Sequence, residues 1–571
     1  MISLTTSLFL HAAYIRYFWI TMGLVVATSV QPGVPALAAF LSRMLRETAS
    51  ASGRTRMSES GDTGDGPASG DAGAVSRQLR GGSLLLVGRL LAKGLNFAVQ
   101  VAIVRLLTKD EFGAFAYGLA LVLAGELVVK GGLGRGANRF VPYYVERGER
   151  AEVMGTLALV TGVIVVLGLV GFGVLVGVSR LGLAGFPSGE GGRVVLLLAV
   201  LAPVQALDTI GIQALACFSR PREIFFRKHV LAPVLRLLAV ALVFALGGDG
   251  AMLALAYVAG GVLGLVICLQ LVVRQLFVHG VLPLPISAWR VPWRPLIRFS
   301  LPLISSDLVF IVMTFVTTVV LMTTDGEQGV ASMRAVVPAA MLNLLVVQSF
   351  SMLFLPAAMR FHARGDRASL AAHHWQSVAW VSVLSFPIFA LTSGVAPAFV
   401  PIVFGEAYAD SAPLLAILSV GYFAGVCMAF NGETLQVFHR TRAIVGTDLL
   451  AIGASLALAF LLCPRWGALG AALAVTVARI ASTIARQIVV LRAPDFGRVP
   501  PAQKRVWAKL ALASAAVAAL GWTEVLPVWG QVLATALVSL ALLRSTAASL
   551  DVARSFPELL RLPFFAKLVG V

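Results

Sequence analysis

From Gly82 to about residue 546 the chain alternates apolar runs of roughly 20 residues with short polar connections, which leaves few folds open. A run of that length is what an α-helix needs to cross a hydrocarbon core about 30 Å thick. Inside lipid every backbone N–H and C=O must be paired within its own structure, so such runs cross as helices. A lipid-spanning barrel would need apolar and polar residues in strict alternation, and these runs lack it. Fourteen runs stand out, approximately 82–106, 113–133, 153–178, 194–217, 230–247, 251–273, 300–322, 330–358, 377–403, 412–435, 443–463, 467–490, 506–522 and 527–546. The expected fold class is an all-α polytopic membrane protein with about 14 transmembrane helices.

Composition closes off the soluble alternatives. Only 13% of the residues are charged and 58% are hydrophobic, with a mean hydropathy of +0.89. Soluble domains carry about 25% charged residues. The net charge of +18 would fit a nucleic-acid binder, but the cations lie mostly in loops between apolar runs. That is the pattern that orients a membrane protein. Loops on one side hold groups such as Arg147 and Arg150, Arg220, Arg222, Arg227 and Lys228, Arg364 and Arg367, and Arg486 and Arg492. The opposite side offers Arg105, Lys109, Arg180, Arg193 and Arg465. The richer side is expected to be cytoplasmic, which puts both ends of the core inside and the protein in the inner membrane. The cysteines Cys217, Cys268, Cys427 and Cys463 are far apart with no CxxC, so no zinc site or disulfide framework is expected.

The ends differ from the core. Residues 1–46 are apolar but interrupted by His11 and Arg16, and read either as an extra helix or as a mis-assigned start. Residues 47–76 are Gly/Ser/Asp-rich and read as a disordered linker, in which Met57 is an alternative initiator. Two six-helix bundles are expected over 77–290 and 291–495. Two further helices and a cytoplasmic tail follow over 496–571.

The two bundles read as copies. The turn Thr108-Lys-Asp-Glu111-Phe-Gly113 recurs as Thr324-Asp-Gly-Glu327-Gln-Gly329. The exit Phe140-Val-Pro142…Arg147-Gly-Glu-Arg150 recurs as Phe354-Leu-Pro356…Arg364-Gly-Asp-Arg367. Phe218-Ser-Arg220-Pro-Arg222 recurs as Phe438-His-Arg440-Thr-Arg442, and Gly250-Ala251 as Gly467-Ala468. These matches keep their order at offsets between 214 and 220 residues. Six helices per copy give parallel repeats, the architecture of carriers whose substrate site lies between the halves.

On these residues the chain resembles the multidrug/oligosaccharidyl-lipid/polysaccharide exporter superfamily, and within it the polysaccharide-type (Wzx-like) flippases. The carrying stretches are GRLLAKGLNFAVQVAIVRLLTKDEFGAFAYG (88–118), GLGRGANRFVPYYVERGER (132–150), FSRPREIF (218–225) and WGALGAALA (466–474). Lys109-Asp110 stands where the family commonly has Gly-Pro. The resemblance implies two bundles around a central cavity and movement of a polyprenyl-pyrophosphate-linked oligosaccharide from the inner to the outer leaflet. It implies lipid-linked glycan, membrane lipids and glycan-assembly enzymes as partners.

Arg89, Lys93, Asn96 and Gln100 are spaced by 4, 3 and 4 residues, so at about 100° per residue they share one narrow helical stripe. A cation facing lipid costs about 2.5–3.5 kcal/mol on insertion scales, so the stripe should face a wet interior. There it would capture a pyrophosphate, Arg bidentately and Lys as a point charge. The alternative is that Arg89 and Lys93 snorkel to the interface. In the second copy Ser300, Asp307, Thr314 and Thr318 share a face, and Asp307 is a candidate counter-ion or carrier of a coupling H+ or Na+. Second-rank candidates are Glu126 and Lys130, an i,i+4 pair, with Arg236, Arg334 and Arg479. Asn343 and Gln348 give the eighth run a weak polar element, and His373-His374 reads as a solvated part of a basic loop.

No catalytic pair, metal ligand set or cofactor motif appears. Gly132-Leu-Gly134-Arg-Gly-Ala137 imitates a dinucleotide fingerprint but follows a membrane helix, and no GxxxxGK[ST] occurs. A non-enzymatic flippase is therefore the reading. Its rivals are a cation-coupled multidrug exporter of the same superfamily, which would favour buried carboxylates, and a membrane glycan polymerase or glycosyltransferase, which would need a sizeable outer loop.

Overall fold

The computed structural model describes residues 91–182, 186–218, 220–300, 315–493, 496, 499–522 and 526–550. The expectations for residues 1–76, and the candidates Arg89, Asp307 and Thr314, lie outside these. The chain divides into two compact units, Met1–Ala98 and Val99–Val571. Of the first, the described part is 91–98, within a helix that runs 91–106.

The second unit is helical, with no strand among the described residues. Among the described residues, ten helices are long and apolar enough to cross a membrane: α1 Lys109–Lys130, α2 Arg150–Leu181, α3 Gly189–Cys217, α4 Pro221–Leu246, α5 Gly250–Val278, α6 Thr317–Ser351, α7 Arg367–Gly394, α8 Glu406–Val437, α9 Arg442–Leu491 and α10 Val528–Ala547. Two of them each contain two of the apolar runs. The backbone leaves helical geometry at Gly326 (φ 66°) in α6 and at Gly467 (φ 50°) in α9. Each glycine stands in the left-handed region that residues with a Cβ avoid. Pro501–Trp522 is also helical but keeps Lys504, Arg505 and Lys509 and is not among the ten.

Local chemistry sets the helix ends. Thr108 and Glu111 form a reciprocal capping box, in which the Thr108 hydroxyl accepts from the Glu111 N–H and the Glu111 carboxylate accepts from the Thr108 N–H at 3.0 Å. α1 stops at left-handed Gly131. Asp249 and Asp366 cap α5 and α7 by accepting from the N–H groups of Met252 and Ser369 at 2.8 and 3.0 Å.

Each half has its own core. The first packs Val141, Val153, Ile164, Ile210 and Leu215. The second is aromatic, with Phe389 stacked on Phe423 at 4.3 Å and Phe354 on Phe430 at 4.4 Å. Outward faces carry large exposed apolar residues such as Leu169, Phe244, Leu512 and Trp529, the surface a bilayer would solvate.

The duplication has a physical counterpart in the two halves. The Glu111 carboxylate accepts from the Gly250 N–H at 3.2 Å, tying the α1 turn to the start of α5. In the second half the Asp325 carboxylate accepts from the Ala468 N–H at 2.8 Å, tying the α6 turn to the second limb of α9. Both acids occupy the repeated turn, and both donor N–H groups belong to the repeated Gly-Ala.

Two readings of the loops are corrected. Arg227, counted with the solvated loop cations, is 4% exposed and sits in a π-helical turn, Phe225–Leu231, inside α4. His374, read as part of a basic loop, is fully buried within α7, its Nδ1 3.0 Å from the Thr434 hydroxyl. His373 beside it stacks on Phe354 at 5.1 Å. In both cases a helix begins earlier than hydropathy alone indicates, because polar residues paired inside a bundle need no loop.

Candidate functional site

The halves of the second unit meet where α1 crosses α6. Gly113 makes that approach possible, since a Cβ there would stand 2.1 Å from the Glu327 carbonyl oxygen. Small residues at such crossings let helix backbones close on each other in a membrane protein. Beside the crossing, two cations from the first half bind the second. Lys109 Nζ lies 2.7 Å from Asp410 Oδ2 and 5.6 Å above the Tyr408 ring. Arg105 donates through Nε to the Val403 carbonyl at 2.9 Å and through a second nitrogen to the Ile402 carbonyl. Asp410 also accepts from the Ser332 hydroxyl at 3.4 Å, and Phe112 meets Tyr408 edge-on. The result is a polar latch at one end of the unit.

The sequence-predicted residues fall into separate groups. Lys93 and Asn96 are half-buried on the helix 91–106, within the first unit, and Gln100 is half-buried just beyond it. Thr318, Arg334 and Arg479 come together in the second half. Thr318 is buried on the first limb of α6 and accepts from Arg334 on the second limb. Arg334 lies within electrostatic reach of Tyr422 on α8. The Arg479 guanidinium, from α9, stacks over the same ring at 4.1 Å. Two half-buried cations thus stand on α6 and α9, Arg479 stacked on the α8 ring, and the buried Arg479 Nε has no hydrogen-bond partner.

The remaining candidates lie elsewhere. Glu126 and Lys130 pair at 2.9 Å, mostly buried, and Glu126 also accepts from the Thr209 hydroxyl at 2.9 Å. That ties α1 to α3, a structural pairing. Asn343 is buried and donates to Thr392 Oγ1 at 3.1 Å, joining α6 to α7. Arg236 belongs to a cleft inside the first half, lined also by Gln205, Asp208, Arg227 and Tyr257.

Sequence reasoning did not find Asp208 or Asp410. Asp208 carried a signal, since it stands alone in an apolar run with no charged neighbour within a helical turn. Asp410 carried none, because its partner is some 300 residues away.

Residues 78–362 match a protein-family model described as polysaccharide biosynthesis protein. No curated protein sequence matches the chain. Among solved structures, the chain is similar to the lipid II flippase MurJ in an inward closed conformation, with a TM-score of 0.61 and 13% identity over 80% of this chain and 97% of that one. It is also similar to an inward-facing multidrug resistance MATE family transporter, with a TM-score of 0.54 and 14% identity over 69% of this chain and 93% of that one. At these identities the likeness establishes the fold alone, a multi-pass bundle of helices.

Proposed function

The chain belongs to the multidrug/oligosaccharidyl-lipid/polysaccharide exporter superfamily, and from that membership we propose that it flips a polyprenyl-pyrophosphate-linked oligosaccharide across the inner membrane by alternating access. The observation that carries this reading is the pair of half-buried guanidinium groups inside membrane-spanning helices, Arg334 donating to Thr318 and Arg479 stacked over Tyr422. Cations inside a membrane bundle are costly to keep and are retained where an anion must be met. A diphosphate head group offers several acceptor oxygens, and guanidinium groups supply planar, paired donors. The Tyr422 ring keeps Arg479 in place while one edge of the guanidinium stays unspent. On the sequence alone, Arg89, Lys93, Asn96 and Gln100, with Asp307 and Thr314, are further candidate residues for the same substrate.

The positive-inside rule supports an orientation in which the latch end, with Arg105 and Lys109, faces outward. The state described would then be closed to the outside. Delivery requires the Lys109–Asp410 and Arg105 contacts to break while the opposite end closes. H+ or Na+ would drive the cycle, since the chain has no phosphate-binding loop of its own.

A drug-cation exporter of the same superfamily would need a negative site, and the gathered residues are positive. The deciding experiment reconstitutes the purified protein in liposomes with a labelled polyprenyl-pyrophosphate-linked oligosaccharide and follows its transfer between leaflets. Transfer by the wild type and its loss in Arg334→Gln/Arg479→Gln would support the reading. Equal transfer by both proteins would overturn it.

A further inference from the structure

The first half holds a second polar site that the transport reading does not use. Asp208 on α3 and Arg227 on α4 approach to 2.7 Å, with side chains 19% and 5% exposed. The approach is close but poorly aligned, and leaves both Nε and Nη1 of Arg227 buried without a hydrogen-bond partner. A guanidinium has five N–H donors, and each one buried without a partner is destabilising. Arg227 lines a cleft of about 70 Å³ together with Gln205, Arg236 and Tyr257. That room exceeds what one water needs.

Several features shape the site for its cation. The π-helical turn Phe225–Leu231 carries Arg227, and such turns concentrate at functional positions. Gly264 on α5 cradles the guanidinium, since a Cβ there would lie 2.5 Å from Nη2. Tyr257 is held by Phe115 of α1, edge-on at 5.2 Å. The Cys268 thiol donates to the Asp208 carbonyl at 3.8 Å and steadies α3 against α5. Arg227 stands roughly 9 Å along the helix from Pro221, shallow enough for a head group to reach. Arg236 is exposed on α4, and Val234 and Leu238 are exposed on the opposite side of the same helix, where α4 would meet acyl chains.

We infer that the cleft between α3, α4 and α5 binds a phosphate-type oxyanion, held by Arg227 and Arg236 and oriented by Tyr257 and Gln205. Asp208 positions Arg227 and at the same time limits affinity by repelling the ligand. The source is a phospholipid head group entering from the bilayer or a pyrophosphate entering from water.

The test uses full-length protein in phosphatidylcholine nanodiscs, in an Arg334→Gln/Arg479→Gln background so that the second-half cations contribute nothing. Thermal stability is followed while inorganic pyrophosphate is titrated, and separately while phosphatidylglycerol replaces phosphatidylcholine. Stabilisation by phosphatidylglycerol alone assigns a lipid head group, and stabilisation by pyrophosphate assigns a pyrophosphate. Either supports the site if Arg236→Gln weakens the effect about tenfold without changing the unliganded melting temperature. Asp208→Asn should strengthen binding several-fold, which a purely structural ion pair would not do. No stabilisation by either anion, or an effect that Arg236→Gln and Asp208→Asn leave unchanged, means that the cleft holds water only and overturns the inference.

Discussion

Lys109 at the start of α1 and Asp410 near the start of α8 form an ion pair of 2.7 Å that joins the two halves of the second unit. Asp410 is 58% exposed and Lys109 20%, so the pair contributes at most about 1 kcal/mol to stability. Under the proposed alternating access, the pair would exist in one arrangement of the halves and break in the other. The pair Lys109→Cys and Asp410→Cys should therefore trap the closed face when oxidised. Transport should stop on oxidation and return with reductant. Undiminished transport by the crosslinked protein would show that these ends never part.

Gly113 tests the same interface by volume. In Gly113→Ala the added methyl would meet the backbone carbonyl of Glu327, which no rotamer change can move aside. Overpacking of this kind costs about 1–3 kcal/mol, here charged to the latched state alone. The variant should raise the reactivity of a thiol introduced by Ser332→Cys toward an impermeant reagent by tenfold or more. Unaltered reactivity would mean that α1 and α6 shift together without opening.

The cations around Tyr422 should matter for delivery and not for assembly. Arg334→Gln and Arg479→Gln each remove a charge while keeping hydrogen-bonding capacity. Surface glycan in cells depending on this protein should fall tenfold or more, with membrane insertion intact. Tyr422→Leu should give an intermediate loss, because Arg479 loses its platform but keeps its charge.

One acid sensitivity follows from a helix cap. Hydrogen bonding to Ser369 holds the Asp366 carboxyl below its usual range. A depressed folded value means that the cap is fully effective above the unfolded value near 3.9 and is lost as pH falls through the folded one. Asp366→Asn should flatten the acid limb of the thermal-stability profile below pH 4. An unchanged limb would assign that sensitivity to other carboxylates.

Much of the protein was legible in the chain itself. Helices whose backbones must be satisfied internally announce themselves as apolar runs, and the repeated turns pointed to two copies of one unit. The capping box at Thr108–Glu111 was visible as a repeated string, though its second bond, to Gly250, was not. Among the candidate site residues, Thr318 stood out by sharing a helical face with Ser300, Asp307 and Thr314, and Arg334 and Arg479 as cations within or at the edge of apolar runs. Their convergence on Tyr422 was not readable, because an aromatic residue in a membrane helix looks like any other apolar one.

The amino-acid order alone determined the helices, their duplication and the bias of charge to one side, because these depend on the solvent each segment must meet. Partnership was decided by the tertiary structure. Arg227 looked like a loop cation until α3 placed Asp208 against it, and Lys109 acquired a role only when Asp410 was folded beside it. A side chain's hydrophobicity is its own property, whereas a charge pair requires two positions that only folding brings together.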